Sequence, residues 1–172
     1  MPAVKKNLVL LGMMAVGKTT LGKIVAKKQG LEFIDIDLNI EQKNLMTIKE
    51  IFKKKGEKFF RMEEEKEVLR SLKKNNSVIA LGGGAFMNKI LRENILEYAV
   101  SVWLDLNIKT LIHRVMWSQK RPLVKKVNNH KKFEELFSKR KNIYKLANHK
   151  ITCDKLNINE IVKKIITLYE KY

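Results

Sequence analysis

The sequence predicts an α/β domain in which helices cover both faces of a parallel sheet. Five short apolar runs alternate with longer segments of helical periodicity, which is the pattern of a doubly wound sheet. The runs lack polar alternation, as is usual for parallel strands that are buried on both faces. Because 45% of the 172 residues are apolar, one core can be filled. We therefore expect a single domain over residues 1–172.

Each element follows from local periodicity. The predicted strands lie at 7–11, 32–36, 77–81, 99–104 and 149–153. The predicted helices lie at about 18–29, 40–55, 58–74, 88–97, 107–118, 131–147 and 157–171. The last helix carries an apolar stripe that we expect to face the sheet. Its members are Ile158, Ile161, Ile165 and Leu168. The polar segment 118–130 contains Pro122 and has no clear period, so we interpret it as a loop in the position of a lid.

Composition excludes several classes of protein. The single cysteine, Cys153, rules out a disulfide framework and a cysteine-rich metal site, and it suits a reducing compartment. No apolar run approaches the ~18 residues of a membrane span. The formal net charge of +18 comes from lysines spread over the whole chain, so we interpret it as a solvated surface. We expect a cytoplasmic monomer that binds neither membrane nor nucleic acid.

The strongest motif is G-x-x-x-x-G-K-[ST], here GMMAVGKT at residues 12–19. It follows a predicted strand and precedes a predicted helix, which is the context in which this motif binds nucleotide phosphates. Backbone N–H groups and the helix N-terminus attract phosphate, Lys18 can reach the β- and γ-phosphates, and the Thr19 hydroxyl can ligate Mg²⁺. The sequence therefore predicts a nucleoside triphosphate site. Its residues are Ala15, Val16, Gly17, Lys18, Thr19 and Thr20.

Two of the four aspartates, Asp35 and Asp37, stand at the end of the second predicted strand. Strand alternation would direct both side chains to one face, at the carboxyl edge of the sheet where ligands of such folds bind. One carboxylate could hold Mg²⁺ and the other could accept a proton from a hydroxyl group. In many P-loop enzymes the third strand ends in an acidic residue that binds the metal. Here it ends in Leu81 and glycines, which favours Asp35 as the metal ligand. The alternative is that both aspartates only cap the ends of elements.

Two further motifs lie directly after the third strand and on a predicted helix. Gly82, Gly83 and Gly84 directly follow the strand, where the absence of side chains lets the backbone approach a ligand closely. Arg61 and Glu64, in the sequence FRMEE, share one face of a predicted helix. The carboxylate can therefore preorganise the guanidinium to bind a substrate carboxylate, although an ordinary surface ion pair would have the same spacing.

The use of arginine is itself informative, because only six of the 36 basic residues are arginine. A planar guanidinium binds carboxylate or phosphate through two parallel hydrogen bonds, which a lysine cannot do. Arg121 begins R-P-L in the lid-like loop, Arg114 precedes it by seven residues, and Arg140 begins R-x-x-x-Y, which ends at Tyr144. A lid arginine can stabilise charge on a transferring phosphoryl group. Each arginine taken alone is equally compatible with a solvated position.

In this order the motifs resemble those of the shikimate kinase family, and the resemblance covers essentially the whole chain. It implies the nucleoside monophosphate kinase fold, a three-layer α/β/α arrangement around a five-stranded parallel sheet. It also implies a lid at about 114–130 and a substrate-binding helical region at about 38–64. The implied reaction is phosphorylation of the 3-hydroxyl of shikimate by MgATP, in the pathway to chorismate and the aromatic amino acids.

The resemblance further implies a role for each motif. Residues 15–20 would bind the phosphates of ATP, and Thr19 and Asp35 would hold Mg²⁺. Arg114 would stack on adenine, near a loop at Cys153 and Asp154. The implied catalytic residues are Lys18, Asp37 as the base, and Arg121 near the γ-phosphate. The implied substrate-binding residues are Asp37, Phe52, Phe60, Arg61, Gly82, Gly83, Gly84 and Arg140, with Glu64 orienting Arg61. Ala15 departs from the family, which usually has glycine there.

Two other functions fit parts of the sequence. Another small-molecule kinase of the same fold, such as a gluconate kinase, would share the phosphate-binding loop at residues 12–19 (the P-loop). The pairing of Arg61 with Arg140 beside three glycines favours shikimate. A nucleic-acid-binding P-loop protein would explain the charge. It would require aromatic side chains near the basic ones for base stacking, and the 8% of aromatic residues lie mostly within apolar patterns.

Overall fold

A computed structural model describes residues 6–117 and 127–172. At the centre of these ranges lies a sheet of five parallel strands. They are β1 (Asn7–Leu11), β2 (Glu32–Asp35), β3 (Ser77–Ala80), β4 (Ala99–Asp105) and β5 (His149–Thr152). Their order in the sheet is β2-β3-β1-β4-β5. The five-stranded parallel sheet is confirmed, and each strand begins and ends within one residue of its predicted bounds.

Seven α-helices in the described ranges connect and cover the strands. They are α1 (Lys18–Gln29), α2 (Ile36–Asn44), α3 (Ile48–Leu72), α4 (Lys89–Tyr98), α5 (Ile108–Trp117), α6 (Val127–Tyr144) and α7 (Ile158–Tyr169). Helix α1 packs against α7, and α3 packs against α4 and α2. None of the helices in these ranges combines the length and the apolar character that a membrane span requires.

The helical region between β2 and β3 differs from the prediction. Periodicity predicts helices at 40–55 and 58–74, whereas the structure has the short helix α2, a break, and then one long helix α3. Thr47 caps α3 and forms a capping box with the residue three positions later, which is a start signal inside the predicted helix. Gly56 (φ 82, ψ 168) is non-helical and divides α3 into two helical pieces joined at a kink, in agreement with the predicted boundary between 55 and 58.

The core lies between the sheet and its helices, and the strands β1 and β3 are buried along their whole length. Helix α7 buries Ile161, Val162, Ile165 and Tyr169. The predicted stripe is therefore wrong at Ile158, which is 51% exposed. Ile158 is the first residue of the helix, and contact with the core begins one turn later.

The predicted lid at about 114–130 lies partly in helices. Residues 114–117 end α5 and residues 127–130 begin α6, so α6 starts four residues earlier than periodicity predicts. Residues 118–126, which include Arg121, lie outside the described residues.

Candidate active site

The loop between β1 and α1 forms the first half of the candidate site. Gly17 precedes α1 in a left-handed conformation (φ 108) that side chains rarely adopt, and it makes no side-chain cap. The first backbone N–H groups of α1 can therefore receive an anion. Lys18 Nζ donates to the carbonyl oxygens of Gly12 and Met13 at 2.8 and 2.9 Å, so the ammonium group lies against the loop.

Ala15 has φ 65, which is uncommon for a residue with a side chain. Arg114 of α5 donates from Nη1 to the carbonyl oxygens of Ala15 and Val16, at 3.3 and 3.4 Å. Burial raises the pKa of the Cys153 thiol to about 11, nearby aspartates add to the rise, and the Arg114 charge opposes it. Arg114 therefore lies near both the P-loop and the loop after β5, where the family resemblance predicts the adenine contact.

Thr19 and Asp35 bring two oxygen atoms together at the carboxyl edge of the sheet. Asp35 Oδ2 accepts a hydrogen bond from the Thr19 hydroxyl at 2.7 Å, and its Oδ1 accepts one from the Leu38 N–H at 3.2 Å. Kinase sites commonly hold Mg²⁺ by one or two carboxylates together with substrate phosphates. A hydroxyl and a carboxylate beside the phosphate loop therefore fit this ion.

Asp37 does not lie on the strand, so the prediction that Asp35 and Asp37 share one face of β2 is wrong. The strand ends at Asp35, whose side chain caps α2, and Asp37 lies in the first turn of that helix. An aspartate at a helix N-cap position ends the extended backbone two residues earlier than alternation suggests. The cap directs Asp35 toward Thr19, while Asp37 faces Gly82.

Gly82 lies beneath two carboxylates. A Cβ atom at Gly82 would be 2.7 Å from Glu64 Oε1 and 2.8 Å from Asp37 Oδ1. Within the described residues, Glu64 Oε1 is buried and has no hydrogen-bond partner. Burial raises the pKa of Glu64, the hydrogen bond and charge of Arg61 oppose the rise, and the Asp37 charge adds to it. A buried acceptor oxygen facing this space points to a ligand that donates hydroxyl groups.

Gly83 and Gly84 lie beneath two guanidinium groups. A Cβ atom would be 2.9 Å from Arg140 Nη1 at Gly83 and 2.6 Å from Arg61 Nη1 at Gly84. Arg61 Nη1 also donates to Glu64 Oε2 at 2.7 Å, so the predicted pair of Arg61 and Glu64 is present. Two guanidinium groups above neighbouring glycines can bind one carboxylate through charge-assisted hydrogen bonds.

An aromatic pair lies beside the Arg61 guanidinium, which covers one end of the glycine loop (residues 82–84). The ring centroids of Phe52 and Phe60 are 4.9 Å apart, and Arg61 Cζ lies 5.2 Å from the centroid of Phe60. Phe60 is buried and Phe52 is partly exposed. The two aromatic residues that the resemblance assigns to substrate binding are therefore adjacent to the Arg61 guanidinium.

Sequence reasoning missed the polar contacts that hold α2 against α3. Asn39 Nδ2 donates to Glu67 Oε1 at 2.7 Å, and Lys43 Nζ lies 2.7 Å from Glu63 Oε2. Both glutamates are buried, although a run such as EEEKE on a helix ordinarily indicates a solvated face. Arg121 lies outside the described residues, so its position near the γ-phosphate stays a prediction.

Comparison with known proteins gives a consistent result. A family model described as shikimate kinase matches residues 14–170. A shikimate kinase from a Sulfurihydrogenibium species is 40% identical over 162 residues, which cover 94% of this chain and 96% of that protein. The structure of a shikimate kinase from Acinetobacter baumannii in complex with shikimate superposes with a TM-score of 0.90 at 31% identity, covering 97% of this chain and 94% of that one. A gluconokinase from Sinorhizobium meliloti shares the fold alone, with a TM-score of 0.54 and 16% identity over 98% of this chain and 95% of that one.

Proposed function

This chain belongs to the shikimate kinase family, and we propose that it transfers the γ-phosphoryl group of ATP to the 3-hydroxyl group of shikimate. The observation that carries the proposal is the separation of negative and positive side chains along the glycine loop. Carboxylates lie over Gly82, and guanidinium groups lie over Gly83 and Gly84. Shikimate has a carboxylate at one end of its ring and hydroxyl groups at the other. Its polarity therefore matches that of the site.

The P-loop is the proposed site of the ATP phosphates. Its backbone N–H groups and the Lys18 ammonium would bind them, and Arg114 would contact the adenine. Thr19 and Asp35 would hold Mg²⁺, which neutralises phosphate charge during transfer. Arg121 remains the predicted contact of the γ-phosphate.

The acceptor is bound and oriented by groups on three helices and the glycine loop. Arg61 and Arg140 would bind the shikimate carboxylate, with Phe52 and Phe60 beside the ring. Asp37 would accept the proton of the 3-hydroxyl group while the oxygen of that hydroxyl group forms a bond to the γ-phosphorus. The bond from that phosphorus to the β–γ bridging oxygen breaks as the new bond forms, and ADP leaves. Since the transition state of phosphoryl transfer is loose, orientation of the hydroxyl contributes alongside proton removal.

A coupled assay of ADP release with shikimate, quinate and gluconate tests the proposal. We expect turnover with shikimate to exceed that with the other two acceptors, and NMR of the product should place the phosphate on the 3-oxygen. Preference for gluconate would instead indicate another kinase of this fold. ATP hydrolysis that RNA stimulates and shikimate does not would indicate a nucleic-acid-binding protein.

Arg61→Lys tests the proposed carboxylate site and has a matched control on the same helix. Lysine keeps the charge but loses the planar pair of donors, so we expect the KM for shikimate to rise by about tenfold or more and the KM for ATP to change little. Arg70 pairs with Glu67 at the same three-residue spacing, outside the site. Arg70→Lys should change neither constant. Equal effects of Arg61→Lys on both substrates would contradict the assignment.

A further inference from the structure

The R-x-x-x-Y motif ends in Tyr144, whose hydroxyl group has no part in the reaction proposed above. Tyr144 is the last residue of α6, one turn after Arg140, and it is 1% exposed. Its hydroxyl donates to the carbonyl oxygen of Gly83 at 2.5 Å and lies 3.8 Å from Met13 Sδ. The side chain therefore touches both the glycine loop and the P-loop.

Gly83 is the point at which these two loops meet. A Cβ atom at Gly83 would lie 3.7 Å from the carbonyl oxygen of Gly12 and 3.7 Å from the backbone nitrogen of Met14. The P-loop thus packs against one side of Gly83, while the Tyr144 hydroxyl binds its carbonyl group. A shift of Gly83 would change the distance between the phosphate loop and the floor of the acceptor site.

We propose that Tyr144 is a positioning residue that holds the glycine loop against the P-loop and thereby sets the acceptor site relative to the phosphates of ATP. This inference rests on the proposed function, because it assigns the acceptor to the glycine loop. The same residue ends the helix that carries Arg140, so one hydrogen bond fixes both the backbone at Gly83 and the helix that supplies a guanidinium group to the acceptor site.

The surroundings of Tyr144 suit a fixed donor. Burial raises the pKa of Tyr144 to about 12, and the charge of Arg140 and its hydrogen bond to the Tyr144 hydroxyl oppose that rise. The hydroxyl therefore keeps its proton throughout the neutral range. The ring lies 6.0 Å from the Trp103 ring of β4, centroid to centroid, within the distance at which aromatic pairs pack. Phenylalanine would keep this packing and remove the hydroxyl group, together with its hydrogen bonds to Gly83 and Arg140.

The test compares Tyr144→Phe with Tyr169→Phe. Tyr169 is a matched control, because it is equally buried and its hydroxyl donates to the backbone carbonyl oxygen of Lys6 at 2.6 Å, at the start of β1. Both variants lose a hydrogen bond to a backbone carbonyl group, so both should lower the Tm. Only Tyr144→Phe should raise the KM for shikimate, by about tenfold, with a fall in kcat and little change in the KM for ATP.

A second measurement keeps the inference testable if shikimate is not the acceptor. In Tyr144→Phe without substrates, hydrogen exchange should become faster in the segments around Met13 and Gly83. In Tyr169→Phe, exchange in both of these segments should stay as in the wild-type protein. If wild-type protein does not phosphorylate shikimate, the proposed function fails, and the exchange result still decides the role of Tyr144. Unchanged exchange in both segments, or kinetic constants equal to those of Tyr169→Phe, would overturn the inference.

Discussion

Replacing Gly84 with alanine tests whether the Arg61 guanidinium must lie directly above the glycine loop. The backbone at Gly84 (φ −101, ψ −13) is accessible to alanine, so the substitution adds no backbone strain. The new Cβ atom would lie 2.6 Å from Nη1, 2.9 Å from Nη2 and 3.0 Å from Cζ of Arg61. All three distances are shorter than a van der Waals contact, so the guanidinium must move away from the loop.

The structure allows the size of the effect to be worked out. Hydrogen bonds to charged groups contribute about 1.5–3 kcal/mol, so loss of the Arg61 contacts to a substrate carboxylate should weaken binding by roughly 10- to 150-fold. The Arg61 side chain is 37% exposed and can swing toward solvent. Because the displaced Nη1 also donates to the buried Glu64 carboxylate at 2.7 Å, we expect the free energy of unfolding to fall by about 1–3 kcal/mol, partly offset by the lower conformational entropy of alanine in the unfolded chain.

Steady-state kinetics with each substrate varied in turn would measure this prediction. The KM for shikimate should rise at least tenfold or so, while the KM for ATP stays within about twofold of the wild-type value. The control is the same substitution in an Arg61→Ala background, where the collision is gone and no further loss is expected. An unchanged KM for shikimate, or an equal loss in the Arg61→Ala background, would refute the reasoning.

Three further predictions concern the aspartates, the P-loop and the buried acid. Asp35→Asn should raise the Mg²⁺ concentration for half-maximal activity and Asp37→Asn should lower kcat without that shift; the opposite pattern in a Mg²⁺ titration would exchange their roles. Ala15→Gly removes a side chain at φ 65 and should raise the free energy of unfolding by about 1 kcal/mol in chemical denaturation, and a loss would contradict this. The pKa of Glu64 is raised by burial, so the wild-type protein should lose stability relative to Glu64→Gln as the pH rises through that pKa. Urea unfolding of both proteins between about pH 4 and pH 7 measures the difference, which should not be constant.

The strands were predictable from sequence because each is a short apolar run in a parallel sheet. The strand β1 is fully buried between two neighbours, so its residues 8–11 are all apolar, with Asn7 at its start and Gly12 directly after its end. The prediction from strand alternation, that Asp35 and Asp37 share one face, was wrong at the end of β2. There the Asp35 side chain caps a helix, and an aspartate in a strand and an aspartate at an N-cap look the same in the sequence.

The candidate site was predictable where its contacts are local. Arg61 and Glu64 lie three residues apart on one helix, and the structure has them paired at 2.7 Å. The contact between Tyr144 and Gly83 joins residues 61 positions apart, and no periodicity relates them. Burial of Glu67 against Asn39 is likewise a tertiary event, since a glutamate on a charged helix carries no local sign that another helix will cover it.

The sheet itself explains why these distant segments form one site. In the strand register Leu10 of β1 pairs with Ala80 of β3, and Ala80 also pairs with Asp35 of β2. The P-loop, the glycine loop and Asp35, the proposed metal ligand, therefore lie at the ends of neighbouring strands at the same level of the carboxyl edge. Backbone hydrogen bonds between strands thus bring the P-loop and the glycine loop to the same edge of the sheet, and contacts from the helices complete their alignment. The helices supply the charged groups, and in our proposal the buried Tyr144 hydroxyl at the end of α6 completes the alignment of both loops.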